Sequence, residues 1–247
     1  MSHPDSDSGA VDRGLRAQSL RPQNLRAQNL QAQALQVHER LVDVYGEPRW
    51  RAHLDPISEL VSTILSQNTN DVNRDRAFGR LRERFPTWEA VRQADEDAVK
   101  EAIAVAGLAN HKGPAILRAL NYVYAERGDL SLEFLRDLPV EEAKAWLTAI
   151  KGVGPKTAAI VLLFSLGMPA FPVDTHVHRV TGRLGLIGPR VTREQAHTIL
   201  EEILPHELYY PFHLNVIRHG RQVCAARAPR CEDCALSDLC AYYATLN

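Results

Sequence analysis

The segment LTAIKGVGPKTAAIVLLFSLG, residues 147–167, decides how this chain folds. Its first half carries a helix into Lys151, Gly152-Val153-Gly154 turns the chain, and Pro155 opens a second, almost wholly apolar helix. Glycine accepts the positive φ and close backbone approach of so short a turn, and proline suits the first position of a helix. The product is a helix-hairpin-helix motif whose turn aims backbone amides outward at a helix N-terminus. Such amides hold a phosphate without reading a base, which makes Gly152, Val153 and Gly154 candidate DNA contacts. Lys156 lies in the first turn of the second helix, where a cation opposes the helix dipole. That placement, with partial burial, favours the neutral amine and makes Lys156 a candidate nucleophile.

Downstream comes FPVDTHVHRV, in which Asp174 precedes Val177, Val180 and Leu184 at helical spacing. Asp174 is expected to cap that helix, and a carboxylate kept ionised there also stabilises a developing cation. His176 and His178, two apart, lie on different helix faces and are expected to serve packing or backbone contacts rather than a metal. All four cysteines of the chain, Cys224, Cys231, Cys234 and Cys240, fall in one window spaced C-x6-C-x2-C-x5-C. Four thiolates so gathered suit a 4Fe-4S cube or one tetrahedral zinc, with two disulfides as a third option. Only one C-x2-C pair is present, where zinc ribbons use two. Arg218, Arg221, Arg227 and Arg230 crowd the same segment, and a basic loop tied to a metal centre suits phosphate contacts, with Arg227 and Arg230 the nearest candidates.

Upstream, the spacing of Leu54, Ile57, Leu60, Val61, Ile64 and Leu65 predicts a helix begun at Asp55-Pro56. Helical patterns follow one another to about residue 219 without an alternating strand, so the chain is read as all-α. Residues 15–35 repeat leucine every five positions. Successive leucines then fall about 140° apart around a helix and build no stripe. Residues 1–34, rich in Gln, Asn, Arg and Ser, are therefore read as a disordered or weakly ordered low-complexity tail. With 247 residues, 45% of them hydrophobic, the remainder buries a sizeable core. The formal charge of -1 assigns any attraction to a polyanion to local patches. No apolar run is long enough to span a bilayer and the N-terminus lacks a secretory pattern, so a cytoplasmic protein with reduced thiols is expected.

Taken together, LTAIKGVGPKTA, VDTHVHRV and HGRQVCAARAPRCEDCALSDLC resemble endonuclease III, the iron-sulfur branch of the helix-hairpin-helix DNA glycosylases, from about residue 36 to 247. The resemblance implies that Lys156 attacks the sugar with help from Asp174, and that the four cysteines hold a 4Fe-4S cluster. It implies a bifunctional DNA glycosylase and AP lyase, removing oxidised pyrimidines from double-stranded DNA as a monomer. Asn68 or its neighbour Gln67 would fill the gap left by the flipped base, and Leu108 would be the apolar wedge. Two departures stand out. Many members carry glutamine where Asn68 falls, and Pro155 replaces a common basic residue. The implied architecture has one helical lobe over 50–168, carrying the hairpin, and another from 35–49 plus 169–247, carrying the cluster. Competing readings are a mismatch-specific glycosylase of the same superfamily, which typically lacks the lysine, and a non-catalytic helix-hairpin-helix DNA-binding protein.

Overall fold

The computed structural model describes the backbone of residues 9–246 and side chains from Leu25 on; within them the chain is all-α, with eleven α-helices and no strand. These are α1 (Gly9–Tyr45), α2 (Pro56–Ser66), α3 (Asp71–Arg84), α4 (Trp88–Gln93), α5 (Glu96–Ala102), α6 (Ala109–Arg127), α7 (Val140–Ala149), α8 (Pro155–Ile160), α9 (Thr175–Leu184), α10 (Arg193–Ile203) and α11 (Tyr209–Gln222). Side-chain caps set several starts. Asp55, Asn70, Thr87, Asp95, Asp174 and Thr192 each accept an amide of the turn that follows, which satisfies donors that the helix itself leaves free.

Two hydrophobic clusters organise the helices. One joins α2 through α8, with Leu60, Ile64, Leu81, Ile116, Leu120 and Leu147 at or near zero exposure. The other joins α9, α10 and α11 to Val37 and Leu41 of α1 and to Phe171. The helix begun at α8 belongs to both. Ala158, Ala159 and Val161 sit in the first cluster and Leu163 and Phe164 in the second. Its last turn, Val161–Ser165, widens to a π-helix. The carbonyls of this C-terminal turn lack intrahelical donors, as at any helix end, and other segments supply them. The Trp50 indole donates to Leu163 O at 2.7 Å, the His53 amide to Phe164 O, and Arg136 to Ser165 O and Leu166 O. Gly167, at φ +65°, is favoured by its left-handed backbone, and a Cβ there would crowd the Trp50 ring at 3.3 Å.

The expected tail needs correction. Residues 1–8 lie outside those described, but α1 runs from Gly9 and its second half is packed. Leu30, Ala34, Val37, Leu41 and Tyr45 face the second cluster, while Leu25 is 60% exposed. The packed stripe has helical spacing and uses only one of the described period-five leucines. Its first turns were hidden because Ala34 and Gln33, rather than leucines, make the downstream contacts there. Gln33 alone donates to Leu184 O and to Leu239 O, tying α1 to the C-terminal segment. Helix α6 also begins earlier than its Gly113-Pro114 pair suggests, at Ala109, with Pro114 inside it.

Candidate active site and cysteine loop

The two clusters leave a cleft between them, with about 2170 Å³ of space open to solvent, and both Lys156 and Asp174 line it. Lys156 is the second residue of α8 and Asp174 the N-cap of α9, so two helix N-termini converge there. Lys156 is exposed, which corrects the expected partial burial. Its position against the helix dipole is the part of that expectation that the geometry retains.

Asp174 is held firmly. Its Oδ1 accepts the Val177 amide at 2.8 Å, and the segment leading into it is clamped three times. Phe171 N donates to Glu201 Oε1 at 2.8 Å, His197 Nδ1 meets Phe171 O at 2.8 Å, and His213 Nδ1 meets Pro172 O at 2.9 Å. Burial pushes His213 well below the ordinary imidazole range, although Asp174 pulls the other way, so it clamps as a neutral donor. Glu201 also receives Lys144 of α7 at 2.8 Å, which ties the two clusters together behind the cleft. At the front, Arg221 of α11 pairs with Asp71 of α3 at 2.9 Å, an exposed link across the cleft.

The wall opposite the motif residues is α2. Ten of its residues, Pro56 through Leu65, are buried, so little of this helix meets bulk solvent. Its polar stripe, Glu59, Ser62, Thr63 and Ser66, lines the cleft. Arg74 of α3 adds to this wall, as does His53, whose Nε2 lies 2.7 Å from the Tyr210 hydroxyl.

Two segments form the rim. Among the described residues, the non-glycine positions with positive φ are Asn68 (51°), Leu108 (53°) and Ala228 (49°). Asparagine tolerates that region; leucine does so at a cost, and such outliers gather at functional sites. Leu108 is 50% exposed, and Gln67 is also exposed beside Asn68. A groove between the two segments is lined by Asn68 to Asn73, Val105 to Gly107, His176 and Arg221. His176 lines this groove but also lies against Gly220 with its Nδ1 3.1 Å from the Arg179 guanidinium, and His178 binds Val191 O, so both make the packing or backbone contacts expected of them. Lys112, 2% exposed, donates to Leu65 O at 2.8 Å and to Ala106 O at 2.9 Å, so one buried ammonium fastens both rim segments. GLANHK held that lysine four positions after Leu108, but only the fold reveals its targets.

In the hairpin, Gly152 has φ +99° and is required by conformation. Gly154 is extended and nothing lies within 4 Å of where its Cβ would be, so its space is open to something outside the chain. Val153 is different. Its side chain is buried and its amide donates to Ile150 O at 2.9 Å, so it pins the turn and offers no free contact.

Cys224, Cys231, Cys234 and Cys240 are free thiols, each partly buried, and all four line one small cavity. Among the described residues no three His, Cys, Asp or Glu side chains converge on a single-ion site. Four thiols that share one cavity form a donor set that suits a 4Fe-4S cube or one tetrahedral zinc. Two arginines that sequence reading missed hold this loop from α9. Arg183 reaches Cys224 Sγ at 3.3 Å and Ala225 O at 2.7 Å, and Arg179 reaches Cys224 O at 3.1 Å and Gly220 O at 2.8 Å. Of the arginines within the segment, Arg227 is exposed, Arg230 donates to Gln222 O, and Arg218 lies over the Tyr45 ring.

A model of the HhH-GPD superfamily base excision DNA repair proteins matches residues 61–206. The chain belongs to that superfamily. Endonuclease III of Thermotoga maritima is 36% identical over 199 residues, 79% of this HhH-GPD chain and 87% of its own length. A candidate DNA glycosylase of Arabidopsis thaliana is 41% identical over 162 residues, 66% of this chain; the chain spans only 55% of that relative's length. Among solved structures, an endonuclease III trapped as a covalent intermediate with DNA superimposes with a TM-score of 0.76 at 26% identity, covering 87% of this chain and 98% of that one. This HhH-GPD protein is an endonuclease III-like base excision repair DNA glycosylase, and DNA is its partner. Among the described residues no helix is long and apolar enough to cross a membrane.

Proposed function

We propose that the chain is a bifunctional DNA glycosylase and AP lyase that removes oxidised pyrimidines, acting as a monomer through Lys156. The observation that carries this reading is the joint presence of Lys156 and Asp174 on one cleft, each at a helix N-terminus, with the segment leading into Asp174 held by three hydrogen bonds. A damaged nucleotide flipped from the duplex enters the cleft. The Lys156 amine bonds to C1′ as the N-glycosidic bond breaks, and the base departs with the bonding pair and takes up a proton. Asp174, fixed as an anion beside the sugar, stabilises the positive charge that develops there and accepts the proton that Lys156 sheds. Ring opening leaves an iminium. Loss of a C2′ proton then expels the 3′ phosphate with the C3′–O bonding pair, and water hydrolyses the imine to free Lys156.

Around that chemistry, Asn68 or Gln67 fills the gap in the duplex and Leu108 wedges the opened step. Gly152 and Gly154 let the hairpin approach a phosphate, and Arg227 and Arg230 add charge at the basic edge. Cys224, Cys231, Cys234 and Cys240 hold a 4Fe-4S cluster in this reading, and their place on one cavity together with the single C-x2-C pair, where zinc ribbons use two, supports that choice. The cluster, when bound, ties the C-terminal loop to α9 and α11 and supplies no step of the base chemistry. Borohydride reduction with DNA carrying an abasic site tests the lysine directly. Wild type is expected to form a covalent complex and Lys156→Gln none; a wild type that fails to trap, or a variant that traps equally, overturns the mechanism.

A further inference from the structure

We propose that the Glu59 carboxyl takes the hydrogen-bonding edge of the base drawn into this cleft, a role that rests on the glycosylase function just proposed. Glu59 lies in the first turn of α2 and lines the same space as Lys156 and Asp174. It is 8% exposed, and its Oε2 has no hydrogen-bond partner among the described residues. A buried carboxyl oxygen left unpaired burdens the fold, and a group arriving from outside removes that burden.

The neighbours do not neutralise it. Asp55, on the same helix, is occupied by the Ser58 amide and hydroxyl. Arg74 of α3 is bound to Asp75 at 2.7 Å and faces Asp71. Tyr210 of α11 and His53 of the strap before α2 are bound to each other, and Lys156 of α8 faces the same cleft. Burial pushes the Glu59 carboxyl up to about 7, against the pull of Arg74 and the Thr63 hydroxyl and with help from Asp55.

A neutral carboxyl offers one O–H donor beside one carbonyl acceptor, whereas a carboxylate only accepts. The neutral pair matches an edge that shows one donor next to one acceptor. Thymine-derived lesions present N3–H beside O4, and cytosine-derived lesions present N3 beside the N4 amine. A guanine edge (O6 beside N1–H) and an adenine edge (N1 beside the N6 amine) offer the same pairing, so the neutral carboxyl reads a donor-acceptor edge and leaves the choice between pyrimidine and purine to the shape of the cleft. Glu59 therefore engages such a base edge best at and below neutral pH.

The test compares wild type, Glu59→Gln and Glu59→Leu in single-turnover release of thymine glycol from a duplex between pH 6 and 8.5, and in cleavage of an abasic duplex. Gln keeps a donor and an acceptor at every pH. It is expected to match wild type near pH 6 and to exceed it by roughly tenfold at pH 8.5, while Leu loses roughly 10- to 100-fold, the span of one bidentate base contact. These changes are confined to the substrate that carries a base. A Gln variant that follows the wild-type pH profile, or a Leu variant equal to wild type, overturns the proposal. So does an equal loss by both variants on abasic DNA, which marks a folding role. A wild type inactive on both duplexes instead overturns the glycosylase function beneath it.

Discussion

The cleft has two walls that were unequally visible in the sequence. One is built by α8 and α9, where Lys156 and Asp174 each sit within a residue or two of a turn that local rules identify. The other is α2, whose Glu59, Ser62, Thr63 and Ser66 look on a helical wheel like a solvent face. In the fold α2 is buried from Pro56 to Leu65, so its polar stripe meets the cleft and not bulk water. The difference teaches that chemistry set at helix ends is legible locally. Chemistry set along a helix face depends on what packs over it.

The strongest test of the motif wall separates Asp174 as cap from Asp174 as charge. Asparagine caps helices about as well as aspartate, so Asp174→Asn is expected to leave the denaturant midpoint nearly unchanged. It removes the fixed anion beside the sugar, and a loss of one preorganised electrostatic contact slows chemistry by about 10²–10³-fold. Single-turnover kinetics beside an unfolding curve checks both halves. A variant as unstable as it is slow would show that the residue works mainly through the fold.

The same contrast explains what else was and was not legible. The all-α class, the hairpin, the start of α2 at Asp55 and the grouping of the four thiols follow from residues adjacent in the chain. The packed half of α1 did not, because Ala34 and Gln33 gain their meaning only from Leu184 and Leu239 far downstream. Arg179 and Arg183 escaped notice for the same reason: they sit on a helix remote in sequence from the cysteine loop they hold. Val153 was misread because a turn residue can be pinned inward, and its amide is spent on Ile150. Leu108 was found by resemblance alone, and its left-handed backbone is the independent physical mark.

The α2 wall has its own test in stability. The folded Glu59 carboxyl keeps its proton up to about pH 7, while the unfolded one releases it near 4.5. Folded chains therefore bind more protons across that window, and stability falls as pH rises from 4.5 to 7. The full difference, reached above pH 7, is roughly 3 kcal/mol at 1.36 kcal/mol per unit. Glu59→Gln removes this burden, so its gain over wild type should be near zero at pH 4.5 and largest at pH 8, read from chemical denaturation. Should wild type be the more stable protein at pH 8, the carboxylate is ionised and paired with Arg74, and the two walls are alike in carrying fixed charge.

The rim where the walls meet yields the smallest effect and the sharpest opposition of signs. Leu108 caps α6 at φ 53° and ψ 32°, makes no side-chain capping bond and is half exposed, so neither burial nor hydrogen bonding explains a leucine there. Holding a non-glycine residue in the left-handed region costs about 1–2 kcal/mol. Leu108→Gly relieves that strain, and after allowing for the greater freedom of glycine in the unfolded chain a net gain of about 1 kcal/mol is expected. Function moves the other way. Without an apolar side chain to replace lost stacking, base release should slow by about tenfold, since unstacking one step costs a few kcal/mol. Cleavage of DNA with the opposite base already unpaired should slow less. A variant that is both more stable and less active establishes that the strain is retained for opening the duplex, whereas one that is less stable with unchanged activity makes Leu108 a packing residue of the rim.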